Sequence, residues 1–346
     1  MMDNWRHSVS WEQENNLDNL KDEQNAFTNT AFKGNQAAVC LLEEDKDDRW
    51  LQSVAAEFNI SETCYLTPLT ESTMTNPRFR IRWFTPVDEV EICGHATLAA
   101  AHILFAYGLV KSDTVEFSSR SGILIAKRDD WQKDYSIELD FPVVQVVETN
   151  FNDVPAISKS LNGASVVEIN ETLMGDHLIL LPSGEAVAKC QPQIDQIKNC
   201  PSRGIIITGP APHGSGFDFY SRFFCPKLGI NEDPVCGSAH CALAPYWCKK
   251  LGKCDFVALA ASPRGGVVKV HLDEEKQRVF LRGKAVAVME GYTRRIIKAR
   301  KITLEIHIGK VSCAIPDYKK IKVGLGTVSK EDLLRSHKIP NCKEDQ

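Results

Sequence analysis

The sequence predicts an α+β protein of two pseudo-symmetric lobes, each a barrel-like β-sheet around a central buried helix. Three observations predict it. Ala96 to Tyr107 is apolar on nearly every side, the mark of a helix wrapped inside a lobe rather than lying on one. Cys93-Gly94-His95-Ala96 opens that segment, and Cys236-Gly237-Ser238-Ala239 opens a second, so the chain reads as a duplication with a period of about 140 residues. Strand-like runs surround both helices, and no Gly-x-Gly-x-x-Gly or P-loop follows any of them, which argues against a Rossmann sheet or a nucleotide site.

The chain has 346 residues, 43% hydrophobic and 25% charged, with a net charge of -4. Those values suit a soluble globular protein with a full core. They give no global reason to expect nucleic acid or an anionic membrane as partner. No apolar run reaches the roughly 18 residues of a membrane span. Residues 1–24 read as a disordered leader, polar and acidic, without the pattern of a secretory signal. The twelve cysteines contain no Cys-x-x-Cys pair. They read as reduced thiols in a cytoplasmic protein, most of them small core residues. The histidines show no metal-ligand spacing, so no metal is expected.

Each element has its own signal. Residues 25–142 form the first lobe. Ala37–Leu42 is β-compatible. In Asp45–Phe58, Trp50, Leu51, Val54, Ala55 and Phe58 fall on one helical face. Cys64–Thr67 reads as a strand. Phe79, Ile81 and Trp83 alternate with Arg78, Arg80 and Arg82, the pattern of a half-buried strand. The buried helix stops at Gly108. Strands follow at Val115–Phe117, Ile123–Lys127 and Ser136–Phe141. Residues 143–291 repeat the scheme as the second lobe. Its strands are Leu178–Leu181, Gly204–Thr208, Phe217–Phe224, Val267–Leu272, Val279–Arg282 and Ala285–Glu290, and its helix ends at Gly252. Residues 292–346 read as a basic C-terminal extension. From Arg294 onward it holds thirteen Lys/Arg against six Asp/Glu, most simply a solvated appendage.

Chemistry concentrates at the two helix starts. A helix N-terminus offers unpaired N–H groups and partial positive charge, a seat for a carboxylate. Gly94 and Gly237 would let the backbone approach a ligand closely. The same field would lower the pKa of Cys93 and Cys236, which occupy matching places. Two such groups on opposite faces of a Cα–H would suit inversion without a cofactor. Glu62, between Ile60 and Tyr65, is a candidate acid/base whose pKa desolvation would raise. His95 is placed either to shuttle protons or to cap its helix. Asp233 would orient a substrate amino group or shape the turn before Pro234. Arg264-Gly265-Gly266 offers a backbone nest for an anion, or an ordinary turn.

Five motifs stand in a fixed order: Ala31-Phe32-Lys33-Gly34-Asn35, Asn59-Ile60-Ser61-Glu62-Thr63, Arg82-Trp83-Phe84-Thr85-Pro86, Cys93-Gly94-His95-Ala96-Thr97, and Glu232-Asp233-Pro234-Val235-Cys236-Gly237-Ser238-Ala239-His240. Over about residues 26–291 the chain resembles the PhzF-like isomerases of phenazine biosynthesis, its plant members in particular. The resemblance implies a diaminopimelate-epimerase-like fold, an active site between the lobes and no cofactor. It gives Glu62 the acid/base role, carries His95, Asp233 and Ser238 into the site, and puts Asn35 and Ser61 among the substrate-binding residues. It further implies a small-molecule acid as substrate, either an amino acid to be epimerised or racemised or a dihydro-hydroxyanthranilate-like cyclic acid, and a homodimer. Cys93 with Cys236 also looks like the cysteine pair of proline racemases, so a two-cysteine mechanism competes with Glu62 as a single shuttle. A hybrid of the two is a further reading. Two departures stand out. The polar Lys21-Asp22-Glu23-Gln24-Asn25 occupies the place of a hydrophobic first strand, and the chain runs on past Gly291. The reading from another class is a non-catalytic interaction protein that kept the fold. Convergence of Glu62, His95, Cys93, Asp233 and Cys236 on one enclosed site discriminates against it.

Overall fold

The structure, a computed structural model, describes residues 20–129, 135–148, 154–298 and 301–311. Ten strands and helices make the first lobe: β1 (Leu20–Ala26), β2 (Asn35–Leu41), α1 (Asp48–Phe58), β3 (Glu62–Pro68), β4 (Arg78–Phe84), β5 (Glu89–Val90), α2 (Gly94–Ala106), β6 (Thr114–Ser119), β7 (Gly122–Asp129) and β8 (Ser136–Pro142). There follow β9 (Val146–Glu148), α3 (Val154–Ser160), β10 (Glu168–Thr172), β11 (His177–Leu180), α4 (Gly184–Lys189), α5 (Ile194–Asn199), β12 (Ile205–Pro210), β13 (Phe219–Cys225) and β14 (Ile230–Asp233). The chain continues with α6 (Gly237–Leu251), β15 (Asp255–Ala260), β16 (Gly266–Asp273), β17 (Arg278–Gly283), β18 (Ala285–Lys298) and β19 (Lys301–Val311).

The strand pairings show the duplication. Along β1–β2–β3–β4–β6–β7–β8 the contacts run antiparallel, parallel, antiparallel, parallel, antiparallel, antiparallel. Along β10–β11–β12–β13–β15–β16–β17 the same series recurs. The copies meet where β8 pairs antiparallel with β17, Leu139 opposite Leu281. They also trade strands. β9, which follows the first copy, pairs with β10 of the second, and β18, which follows the second, pairs with β1 of the first.

Local chemistry fixes the elements. Asp47 caps α1 by accepting from the Trp50 N–H at 2.9 Å, and Asn59 ends it in the left-handed conformation. Leu51, Val54 and Ala55 face inward with Tyr65 and Phe84. In β4 the expected alternation holds: Phe79, Ile81 and Trp83 are buried. Helix α2 is buried on all sides from Gly94 to Phe105 except at half-buried His102. It contacts β1, β2, β3, β7 and β8. Helix α6 contacts β16, β17 and β9. A separate core, with Ile157, Val187, Ile197 and Phe224, lies under α3, α4 and α5, short helices that periodicity did not predict. No helix among the described residues is long and apolar enough to cross a membrane.

The N-terminal end of the expected domain scheme needs correction. The leader does not extend to residue 24, because the polar segment expected to make a poor strand is β1. Pairing with β2 on one side and β18 on the other supplies its hydrogen bonds, and this context overrides weak propensity. Its inward residues are Asp22 and Gln24, at most 1% exposed. At the other end, the segment read as a basic extension continues the sheet past residue 292. β18 runs through Lys298 and forms a hairpin with β19. The remainder of the extension, residues 312–346, lies outside the described residues.

Candidate active site

The two helices begin against one another. A Cβ built on Gly94 would stand 3.0 Å from the Gly237 Cα, and one built on Gly237 would stand 3.0 Å from the Gly94 Cα. Each glycine admits the backbone of the other helix.

Matching hairpins carry the chain into each helix. In the first, Arg82 Nε and Nη2 donate to Glu89 at 2.8 and 2.6 Å. In the second, Arg222 Nε and Nη2 donate to Glu232 at 2.7 and 2.9 Å. Sequence reasoning missed these two pairs. The signal was there in the repeat, since Arg82 and Arg222 hold equivalent strand positions and Glu89 and Glu232 precede their helices by the same interval.

Side chains from both copies converge where the helices begin. Glu62 opens β3, and its Oε2 lies 2.9 Å from Nε2 of His95 in the first turn of α2. Asn35, at the start of β2, brings its Nδ2 within 2.9 Å of His95 Nδ1. The same Nδ2 donates to Asp233 Oδ1 and, at 3.2 Å, to the Val235 carbonyl, both from the second copy. Cys93 Sγ lies 3.5 Å from His95 Nδ1. Cys236 Sγ lies 3.2 Å from Ser238 Oγ. The group is enclosed: His95 is 1% exposed, Glu62 6% and Asp233 8%. The His95 ring faces Glu62, Asn35 and Cys93.

The electrostatics separate the carboxylates from the thiols. Burial pulls the His95 pKa down, but the charge and hydrogen bond of Glu62, with help from Asp233, outweigh it and raise the ring above its ordinary value. Asp233 is pushed up to about 6 by burial, with His95 pulling down and Glu62 pushing up. Burial drives the Cys93 thiol well above its ordinary value, and Glu62 drives it further. Burial does the same for Cys236, with Asp233 adding to it. The expected lowering by the helix starts is thus corrected: the Ala96 and Ala239 amides do favour the thiolates, but desolvation and neighbouring carboxylates dominate.

The duplication is not repeated in the chemistry. Thr63 pairs with Phe84, and Ile205 with Phe224. Gly204 therefore stands where the first copy has Glu62. Ser238 stands where it has His95. Ser61 sits half-buried in the turn before β3. The Arg264 side chain reaches across to the first copy: its Nε donates to the Gly34 carbonyl at 2.7 Å and its Nη2 to Asn25 Oδ1 and the Lys33 carbonyl. Gly265 accepts from the Gly34 N–H at 2.9 Å. Arg264 and Gly265 clamp the loop that leads to Asn35. Ligand atoms of Glu62, Cys93 and His95 lie within 4.8 Å of one another, close enough for an ion, but the Glu62–His95 contact is already a hydrogen-bonding distance.

Residues 24–291 match the family model described as "Phenazine biosynthesis-like protein". The chain belongs to the phenazine biosynthesis-like family. An uncharacterized isomerase of Halalkalibacterium halodurans is 43% identical over 266 residues, 76% of this chain and 94% of that protein. A crystal structure of a PhzF-family protein from Enterococcus faecalis is 36% identical with a TM-score of 0.70, covering 79% of this chain and 97% of that one. A probable proline racemase from Agrobacterium radiobacter shares the fold alone, at 12% identity and a TM-score of 0.54, with 78% of this chain and 90% of that one covered. The phenazine biosynthesis-like proteins and these relatives support an isomerase on an epimerase-like α+β fold.

Proposed function

We propose that the protein is a cofactor-independent isomerase that moves a proton on a small carboxylic or amino acid, with Glu62 as the acid/base. The observation that carries this reading is the buried 2.9 Å contact of Glu62 with His95, at a place where the second copy has Gly204 and Ser238. One copy thus supplies one proton shuttle. Glu62 Oε2 faces His95, leaving Oε1 for the substrate proton. His95 holds a proton towards Glu62 and keeps a negative charge there stable. Asn35 ties this pair to Asp233, which suits the polar end of a substrate. The N–H groups at the starts of α2 and α6 suit its carboxylate.

A single shuttle favours a proton shift on one face of the substrate. Epimerisation is the second reading, favoured by one observation: Cys236 belongs to the opposite copy and its thiol is held protonated, as an acid returning a proton to the other face must be. The ten free cysteines among the described residues suit the cytoplasm.

The test is label uptake from deuterated water with a panel of amino acids and cyclic acids. Glu62→Gln is expected to lower uptake by about 10²–10⁴-fold, and Cys236→Ser to retain it. Exchange retained with inversion lost in Cys236→Ser would establish epimerisation. Full uptake in Glu62→Gln would end the proposal.

A further inference from the structure

The last turn of α6 and the first residue before β15 bring two thiols together far from the proton shuttle's own groups. Cys248 Sγ and Cys254 Sγ are 3.1 Å apart. Between them Gly252 takes the left-handed conformation, φ 64, and turns the chain back. Cys248 is buried, whereas Cys254 is half-exposed. The nearest carboxylate, Glu274 Oε2, lies 3.6 Å from Cys254 Sγ. The three lysines of this turn point elsewhere: Lys249 to Glu148 at 2.7 Å, Lys250 to Glu168 at 2.6 Å and Lys253 to Asp218 at 2.5 Å.

We propose that Cys248 and Cys254 form a reversible intramolecular disulfide, a redox modification site at the end of the helix whose start frames the active site. The sulfurs need to close by about 1 Å to reach bonding distance, within reach of side-chain rotation. The oxidant is a small disulfide such as oxidised glutathione. The Cys254 thiolate, being accessible, attacks one sulfur of the oxidant, whose S–S bond breaks to release one thiol. The Cys248 thiolate then attacks the Cys254 sulfur, the protein S–S bond forms, and the second thiol leaves. The dithiol gives up two protons and two electrons, and the oxidant is reduced to two thiols. A hydrogen bond with Cys248, then burial, push Cys254 up to about 12. The exchange is therefore slow near neutrality and quickens at alkaline pH.

A metal is the competing occupant, since Cys248, Cys254 and Glu274 place ligand atoms within 4.8 Å. Closed structural zinc sites use four protein ligands, and this cluster supplies three, one of them an exposed carboxylate. The disulfide is the better fit. Reversible disulfides in reducing compartments are of the redox-sensing kind.

The test uses the full chain, equilibrated at mildly alkaline pH with mixtures of oxidised and reduced glutathione, then alkylated and digested with trypsin. Cleavage after Lys250 and Lys253 puts the two cysteines on separate peptides, joined only by the disulfide. The expected result is a linked pair lighter by two hydrogens, released by dithiothreitol and absent in both Cys248→Ser and Cys254→Ser. Glutathione adducts on either cysteine without the link would overturn the proposal. So would full alkylation of both while Cys200 becomes modified, or zinc that co-purifies and shields both thiols until a chelator removes it.

Discussion

A histidine with 1% of its surface exposed ordinarily sheds its proton, because burial disfavours the charged form. His95 binds one more tightly, since Glu62 and Asp233 surround it with negative charge. The sign of the pH effect follows: this contact stabilises the fold below the ordinary value of 6.5 and its contribution fades as pH rises through the raised midpoint. Asp233→Asn removes one of those charges, so the His95 midpoint should fall in a proton NMR titration. An unchanged midpoint would mean that Asp233 is not its charge partner. The cluster was legible in the sequence as to membership, since Glu62, His95, Asp233 and Asn35 all lie in the quoted motifs. Its proton affinities were not. A motif shows that a thiol begins a helix, but desolvation depends on what the other half of the chain lays over it.

At the scale of elements, the contact between α2 and α6 and the polar strand β1 each give a test. Gly94→Ala forces a methyl group against the Gly237 backbone at 3.0 Å, and overpacking of this kind costs about 1–3 kcal/mol. Denaturant melts should show that loss, and Gly94→Ala with Gly237→Ala should be non-additive because both act on one contact. In β1, burial and then Glu290 push Asp22 up to about 7. A carboxyl that stays protonated in the folded state makes stability fall as pH rises from about 4 to 7. Asp22→Asn should therefore raise the thermal midpoint at pH 8 and bring no gain near pH 4. Equal gains at both would show that the carboxyl's charge is not the cause. The helix α2 was legible because an apolar segment of that length has one solution in water. Strand β1 was not, because Asp22 and Gln24 carry no strand signal and the ladder partners that hold them are Ala37–Cys40 on one side and residues beyond Ala285 on the other. The pairs Arg82–Glu89 and Arg222–Glu232 were hidden for another reason: charged residues look alike until the repeat is laid on itself.

The whole molecule is held by the β8–β17 seam and by the two traded strands. The first copy therefore depends on residues at the far end of the chain. A chain ending at Gly283 lacks β18 and exposes the edge of β1, so amide hydrogen exchange should quicken in β1 and β2. A chain ending at Gly291 keeps all the β1 partners but Tyr292, and its exchange should match the full chain. Faster exchange in both would mean that β19 and the remainder, not β18, hold β1. The two-copy plan was legible from Cys93-Gly94 and Cys236-Gly237, but strand trading was not, since periodicity marks a strand without naming its neighbour. β9 and β18 are each stitched into the opposite half. The same stitching means that a gene cut between Glu148 and Thr149 yields two fragments, each carrying the strand that the other needs, and neither is whole until it clasps the other.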